Sequence, residues 1–215
     1  MVHEIGKHNS IFNEFLREIR DEHVQKDRLR FRRNMERLGE IFAYELSKTL
    51  DFDTTEVTTP LGSAQMQSLT EQPVLATILR AGLPLHQGLL NYFDKADSAF
   101  VSAYRKHLKN EDDFEIHIEY LSSPPLDGKT LILSDPMLAT GSSMFLVYKA
   151  LMGRGKPAHV HVVALIASQE GLAYVKKKLP ENTSIWLGAI DDELTAQAYI
   201  VPGLGDAGDL CFGAK

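Results

Sequence analysis

A single cysteine, Cys211, stands among 215 residues. One thiol forms no internal disulfide, and no Cys/His spacing of a zinc site is present, so Cys211 reads as a structural thiol packed near the C-terminus. No apolar run is long enough to span a membrane, and the N-terminus has no apolar signal core. These lacks lead to the expectation of a soluble protein in a reducing, cytoplasmic setting. Positive charge is also in deficit, with 23 Lys and Arg against 29 Asp and Glu and a formal net charge of −6. That balance argues against a dedicated nucleic-acid binder, although it leaves room for a local basic patch. The chain is 44% hydrophobic and 24% charged, enough to bury a proper core. Its length fits one α/β domain, or a domain with a small appendage.

The most informative stretch begins with the apolar run Leu131, Ile132, Leu133, the signature of a buried parallel strand. It breaks at Asp135-Pro136, since Pro supplies no ladder donor and biases the preceding residue away from helix. Met137, Leu138 and Ala139 lead into Thr140, Gly141, Ser142 and Ser143, and residues 144–151 read as a helix. A strand, a small-residue loop and a helix N-terminus together build an anion site, because free N–H groups converge where the helix dipole is positive. Thr140, Ser142 and Ser143 add hydroxyls, and Asp135 falls at the carboxyl end of the strand, where ligands of open α/β sheets bind. The plainer reading is an ordinary strand–turn–helix with a Ser/Thr cap. A Walker loop is excluded, because no Gly-Lys-Ser/Thr follows at the required spacing.

The same device occurs earlier. Residues 73–79 form an apolar strand, Arg80-Ala81-Gly82 a bend, and Pro84 the first turn of a helix with Leu85, Leu89 and Tyr92 inward. Arg80 offers two N–H groups to phosphate oxygens, or is simply a surface residue beside a helix start. Upstream, residues 10–22 and 26–50 carry apolar stripes at helical spacing. The second helix opens with Lys26, Arg28, Arg30, Arg32, Arg33 and Arg37, read as a solvated face, with an RNA or subunit contact as the other reading. Residues 54–59 alternate enough for an edge strand ended by Pro60. Residues 98–104 and 114–121 frame a polar tract after Arg105, as in a projecting hairpin. Residues 158–167 form a long strand with His159 and His161 one side-chain period apart, without a third ligand nearby, and therefore in a structural or surface role. Residues 170–178 and 185–190 add a helix and a last strand. Repeated strand and helix in this order predict a mostly parallel sheet with right-handed crossovers. Near the C-terminus, Pro202 to Asp209 contains three glycines and two acids in eight positions. It is either a chain of turns or a backbone surface able to pair with the flat edge of a base.

The pattern around Asp135 resembles the phosphoribosyltransferases that use phosphoribosyl diphosphate, and its form Asp-Pro-Met-Leu-Ala-Thr-Gly is similar to their uracil branch. The blocks at 78–83 and 199–209 agree, in the right order, and the likeness runs from about residue 8 to the end. The resemblance implies a type I phosphoribosyltransferase fold over 1–215. Its parts would be a helical N-terminal extension (1–50), a hairpin lid (105–121) and a C-terminal hood over the base (195–215). It implies transfer of the 5-phosphoribosyl group to N1 of uracil, giving UMP and diphosphate in pyrimidine salvage. Arg80, Arg105, Asp135 and Asp206 would serve catalysis. The sugar diphosphate would be held by these four with Pro136, Met137, Leu138, Ala139, Thr140, Gly141, Ser142 and Ser143. Uracil would meet Ile200, Gly205, Asp206 and Ala207. Mg²⁺ would be carried by the diphosphate and water, with no direct protein ligand.

Two departures from the family pattern stand out. The tract after Arg105 lacks the usual Arg-Asp-Pro-Glu-Thr. Ser142 replaces a glycine of the phosphate loop, and is expected at negative φ as a normal helix N-terminal residue giving its N–H and hydroxyl to phosphate. A homo-oligomer is expected, with no nucleic-acid or membrane partner. The rival functions are the same chemistry on a purine or orotate, and a non-catalytic, RNA-binding sensor of phosphoribosyl diphosphate.

Overall fold

A computed structural model describes residues 1–107 and 114–214 of the protein. The short strand β1 (Val2–Glu4) precedes two helices, α1 (Ile11–Arg20) and α2 (Arg28–Ser47). Ser10 caps α1 in a capping box with Asn13, and the Asp27 carboxylate accepts the Arg30 N–H at the start of α2. Phe12, Leu16 and Ile19 of α1 and Phe31, Met35, Leu38, Phe42 and Leu46 of α2 are buried, as the stripes predict. The basic face of α2 is largely paired within the chain. Arg30 and Asn34 both donate to Glu18, Arg33 pairs with Glu36, and Arg32 reaches the Cys211 carbonyl at 2.7 Å.

The expected edge strand is instead one arm of a separate hairpin. β2 (Phe52–Thr59) pairs antiparallel with β3 (Gly62–Leu69) and with no strand of the central sheet. Every residue of β2 is exposed, because its Thr-rich pattern is polar enough on both faces to leave neither one driven into the core.

The central sheet is built from β4 (Val74–Leu79), β5 (Asp97–His107), β6 (Phe114–Ser122), β7 (Thr130–Ser134), β8 (Met137–Leu138), β9 (His159–Ser168) and β10 (Ser184–Asp191) together with β1. Its order is β1-β10-β9-β7-β4-β5-β6, with β8 continuing alongside β9. Only the β5–β6 pairing is antiparallel. From β4 the chain crosses over α3 (Leu83–Tyr92) to β5 on one side, then returns to β7 on the other. The point where the order reverses therefore lies between the carboxyl ends of β4 and β7, the place where open sheets bind ligands. Residues alternate between two cores along each strand. Leu75 and Ile132 face α1, α2 and α3, whereas Ala76, Leu131 and Leu133 face α4 (Ser142–Leu151) and α5 (Gln169–Lys178). Between β4 and β7 the buried Thr77 hydroxyl donates to the Ser134 carbonyl, and the Ser134 hydroxyl to the Ala76 carbonyl.

The chain ends in a small antiparallel pair, β11 (Glu193–Leu194) and β12 (Ile200–Val201), followed by α6 (Ala207–Phe212). Cys211 is fully buried beside Met35, and burial pushes its thiol up to about 12, an inert group at neutral pH. His161 is also structural: it is buried, and its Nδ1 accepts the Trp186 indole N–H at 3.0 Å. Among the described residues no helix is long and apolar enough to cross a membrane.

Candidate active site

A cavity of about 610 Å³ opens at the reversal point. Three walls meet there. Arg80 and Ala81 come from the end of β4, Asp135 and Met137 to Gly141 with Ser143 from the loop after β7, and Gly205 to Gly208 from the hood. Segments more than a hundred residues apart in sequence thus face one another.

The loop between β8 and α4 is shaped by Gly141. Its φ is +78°, a conformation costly for any side chain, and a Cβ there would lie 2.9 Å from the Gly171 carbonyl oxygen. Gly141 leads directly into α4, so the N-terminus of that helix opens on the cavity. Ser142 is helical and has no positive φ, as expected. Its hydroxyl, however, accepts from Thr140 Oγ1 at 3.2 Å, and its N–H is directed to the same oxygen, so Ser143 rather than Ser142 lines the cavity. Pro136 likewise stands behind the wall, its carbonyl accepting the Leu165 and Ile166 N–H groups of β9. A buttress that sequence reasoning missed is Ser168. Its hydroxyl donates to the Ala139 carbonyl at 2.6 Å and accepts the Gly171 N–H at 2.8 Å, fastening the loop to α5.

Asp135 keeps contact with the cavity while protein encloses it on every other side. That desolvation pushes its carboxyl up to about 7, with the Met137 N–H offsetting part of the effect. Arg80, about 40% exposed, is held loosely. Its Nη2 is 3.4 Å from Asp209 and 3.5 Å from the Gly213 carbonyl, distances at the weak end of hydrogen bonding. Arg105 lies on β5 opposite Ile116, two pairs short of the last described pair of the β5–β6 ladder, His107 and Phe114; its side chain and residues 108–113 lie outside the described residues.

In the hood, Asp206 caps α6 by accepting the Asp209 N–H at 3.0 Å, and it lines the cavity with Gly205 and Ala207. Ile200 is buried in the core behind them. Gln197, Ala198 and the half-exposed Tyr199 also reach the cavity, and Ala198 has φ +62°, a strained conformation for a residue with a side chain. None of these three was anticipated as a site residue; the β11–β12 connection carries no spacing signature. Such a cavity can take an anion at the helix N-terminus on one wall, with a carboxyl group at its floor, a half-exposed guanidinium opposite and peptide groups on the third wall.

The profile of the uracil phosphoribosyltransferase family matches residues 7–214. A uracil phosphoribosyltransferase of Porphyromonas gingivalis is 55% identical over 214 residues, 100% of this chain and 99% of that protein. Another, of Methanothermobacter thermautotrophicus, is 40% identical over 185 residues, covering 85% and 83% of the two chains. Among solved structures, the AQ2163 protein from Aquifex aeolicus superposes with a TM-score of 0.87 at 30% identity, covering 100% of this chain and 99% of that one. A hypoxanthine phosphoribosyltransferase from Staphylococcus aureus, at 15% identity and a TM-score of 0.50 over 74% of each chain, shares the fold alone. The chain belongs to the uracil phosphoribosyltransferase family.

Proposed function

We propose that this protein transfers the 5-phosphoribosyl group of phosphoribosyl diphosphate to N1 of uracil. The bond from C1 to the diphosphate oxygen breaks, the C1–N1 bond forms, and the N1 proton leaves, giving UMP and diphosphate. The observation that carries this reading is the facing of the Gly205–Asp206–Ala207 backbone and the Ala139–Ser143 loop across one cavity. The first supplies donors and acceptors for a pyrimidine edge, and the second supplies N–H groups for a 5-phosphate.

In this reading Asp135 accepts from the ribose hydroxyls. Arg80 and Arg105 neutralise the diphosphate as charge grows on it, an electrostatic role realised most strongly in the transition state. Asp206 lies near the ribose and base. No covalent nucleophile is required, and the protein's work is alignment of N1 with C1 and stabilisation of the leaving group. Mg²⁺ suits the donors present. Asp135 and Asp206 supply hard oxygens to the cavity, yet no group of three or more His, Cys, Asp or Glu that could hold a metal occurs among the described residues. A divalent ion carried by the diphosphate, and met by these carboxylates through water, fits that arrangement. When bound it would offset diphosphate charge.

Residues 1–50 are read as a platform, 105–121 as the lid and 195–215 as the hood, parts of one catalytic unit. A homo-oligomer is part of the proposal, supported by the β2–β3 hairpin, whose Phe52, Val57, Leu61 and Met66 are exposed. A two-stranded hairpin gains stability from a surface to pack on. A cytoplasmic setting is supported by the lone buried thiol. A panel of uracil, hypoxanthine and orotate, each with phosphoribosyl diphosphate and Mg²⁺, tests the base. Nucleotide should form from uracil; equal or faster formation from either other base would overturn the assignment.

A further inference from the structure

The hood reads its ligand with backbone, and a backbone reader has no side chain to re-aim. Its accuracy is set by whatever holds the peptide in place. At one end that hold is an ion pair between the last residue of α1 and the last residue of β10. Arg20 Nη1 and Nη2 lie 2.9 and 2.8 Å from the two Asp191 carboxylate oxygens, a bidentate fork. The same pair grips the peptide of Gly203: its N–H donates to Asp191 Oδ2 at 2.9 Å, and its carbonyl accepts from Arg20 Nη1 at 3.2 Å. Asp191 is 7% exposed, so its charge is committed to these partners. In its hydrogen-bonding orientation the Gln25 amide also donates to the Leu204 carbonyl at 2.8 Å. At the other end Asp206 caps α6. Only Leu204 and Gly205 lie between the clamp and the cap, and Gly203 has no room for a side chain, since a Cβ there would meet the Ile200 carbonyl at 2.1 Å.

We propose that Arg20 and Asp191 form a positioning pair that sets the affinity of the hood for its base by fixing the Gly203 peptide, two residues ahead of the base-reading backbone. The inference rests on the reading of this cavity as a uracil site. It gives the N-terminal helices a part in the chemistry that neither their periodicity nor their charge revealed. The hydrogen bonds of the pair run to Gly203 and none reaches residues 139–143, so its effect should fall mainly on one substrate of the two.

The test is two-substrate steady-state kinetics on the full chain, comparing wild type with Arg20→Met, Arg20→Lys, Asp191→Asn and Gln25→Ala. Arg20→Met and Asp191→Asn should raise the KM for uracil by at least about tenfold, with the KM for phosphoribosyl diphosphate within about twofold. Arg20→Lys, which keeps the charge without the fork, should recover part of the loss. Gln25→Ala should raise the uracil KM by about threefold and serves, with Arg20→Lys, if the other two variants fail to fold. A folded set in which the uracil KM stays at the wild-type value, or in which both KM values rise together, overturns the positioning role. Wild-type turnover of uracil separates the two levels: normal turnover with an unmoved KM defeats the pair alone, whereas no turnover defeats the site reading and the pair with it.

Discussion

The Arg80 guanidinium stands 3.4 Å from the Asp209 carboxylate, bridging the end of β4 and the hood helix α6. Both side chains are about 40% exposed, so the pair is screened and contributes little to stability. It reads as a resting partner that a diphosphate would replace. Arg80→Ala should therefore lower kcat/KM by about 2–3 kcal/mol of lost transition-state stabilisation, on the order of a hundredfold. The melting temperature should move by less than about 2 °C, as for an exposed substitution. Wild-type kcat/KM in this variant would remove Arg80 from the diphosphate site.

Burial of Asp135 gives a pH signature with a defined sign. Its carboxyl, ordinarily near 3.8, titrates at about 7 in the folded protein. Between those values the folded state holds a proton that the unfolded state releases. The associated stability is full below about pH 4 and is lost as pH rises through about 7. Asp135→Asn lacks this dependence, so thermal melts across pH 4 to 8 should show the variant gaining on wild type as pH rises. Affinity for phosphoribosyl diphosphate should rise over the same window in wild type, as the charged acceptor becomes available to the ribose hydroxyls. Parallel melting curves for the two proteins would contradict the assignment.

What could be read from the chain alone was whatever is written locally. Apolar runs ending in Arg80 and in Asp135-Pro136 mark two strand ends, and residue spacing marks the buried faces of α1 and α2. Parts assembled through distant pairs were not legible. Arg20 and Asp191 are 171 residues apart, and Ser168 meets Ala139 across 29, with no spacing to announce either. The basic run of α2 was legible as a solvated face, and Lys26, Arg28, Arg30 and Arg33 are exposed, whereas its partners Glu18 and the Cys211 carbonyl appear only once the helices pack. The polar hairpin arm of β3 escaped because Gly62 to Leu69 has little β-branched or aromatic character.

Gly141 is the residue on which the proposed phosphate loop turns. Gly141→Ala must take a positive φ and crowd the Gly171 carbonyl, a cost of about 1–3 kcal/mol. Calorimetry should show a lower melting temperature, and titration with phosphoribosyl diphosphate should show weaker binding. Unchanged values in both would mean that the loop relaxes without loss.

Asp206→Asn separates charge from capping. Asparagine caps helices as well as aspartate does, so α6 and the fold should persist. The account expects kcat to fall more than the uracil KM rises. A variant whose sole defect is a higher uracil KM would instead make Asp206 a direct ligand of the base.

The central claim, that one cavity joins a phosphate loop to a base-reading hood, is tested most directly by following labelled uracil with phosphoribosyl diphosphate and Mg²⁺ and counting both products. The account predicts one UMP and one diphosphate per uracil consumed, with diphosphate release dependent on uracil. Release at the same rate without uracil, or binding of both substrates with no UMP formed, would contradict it.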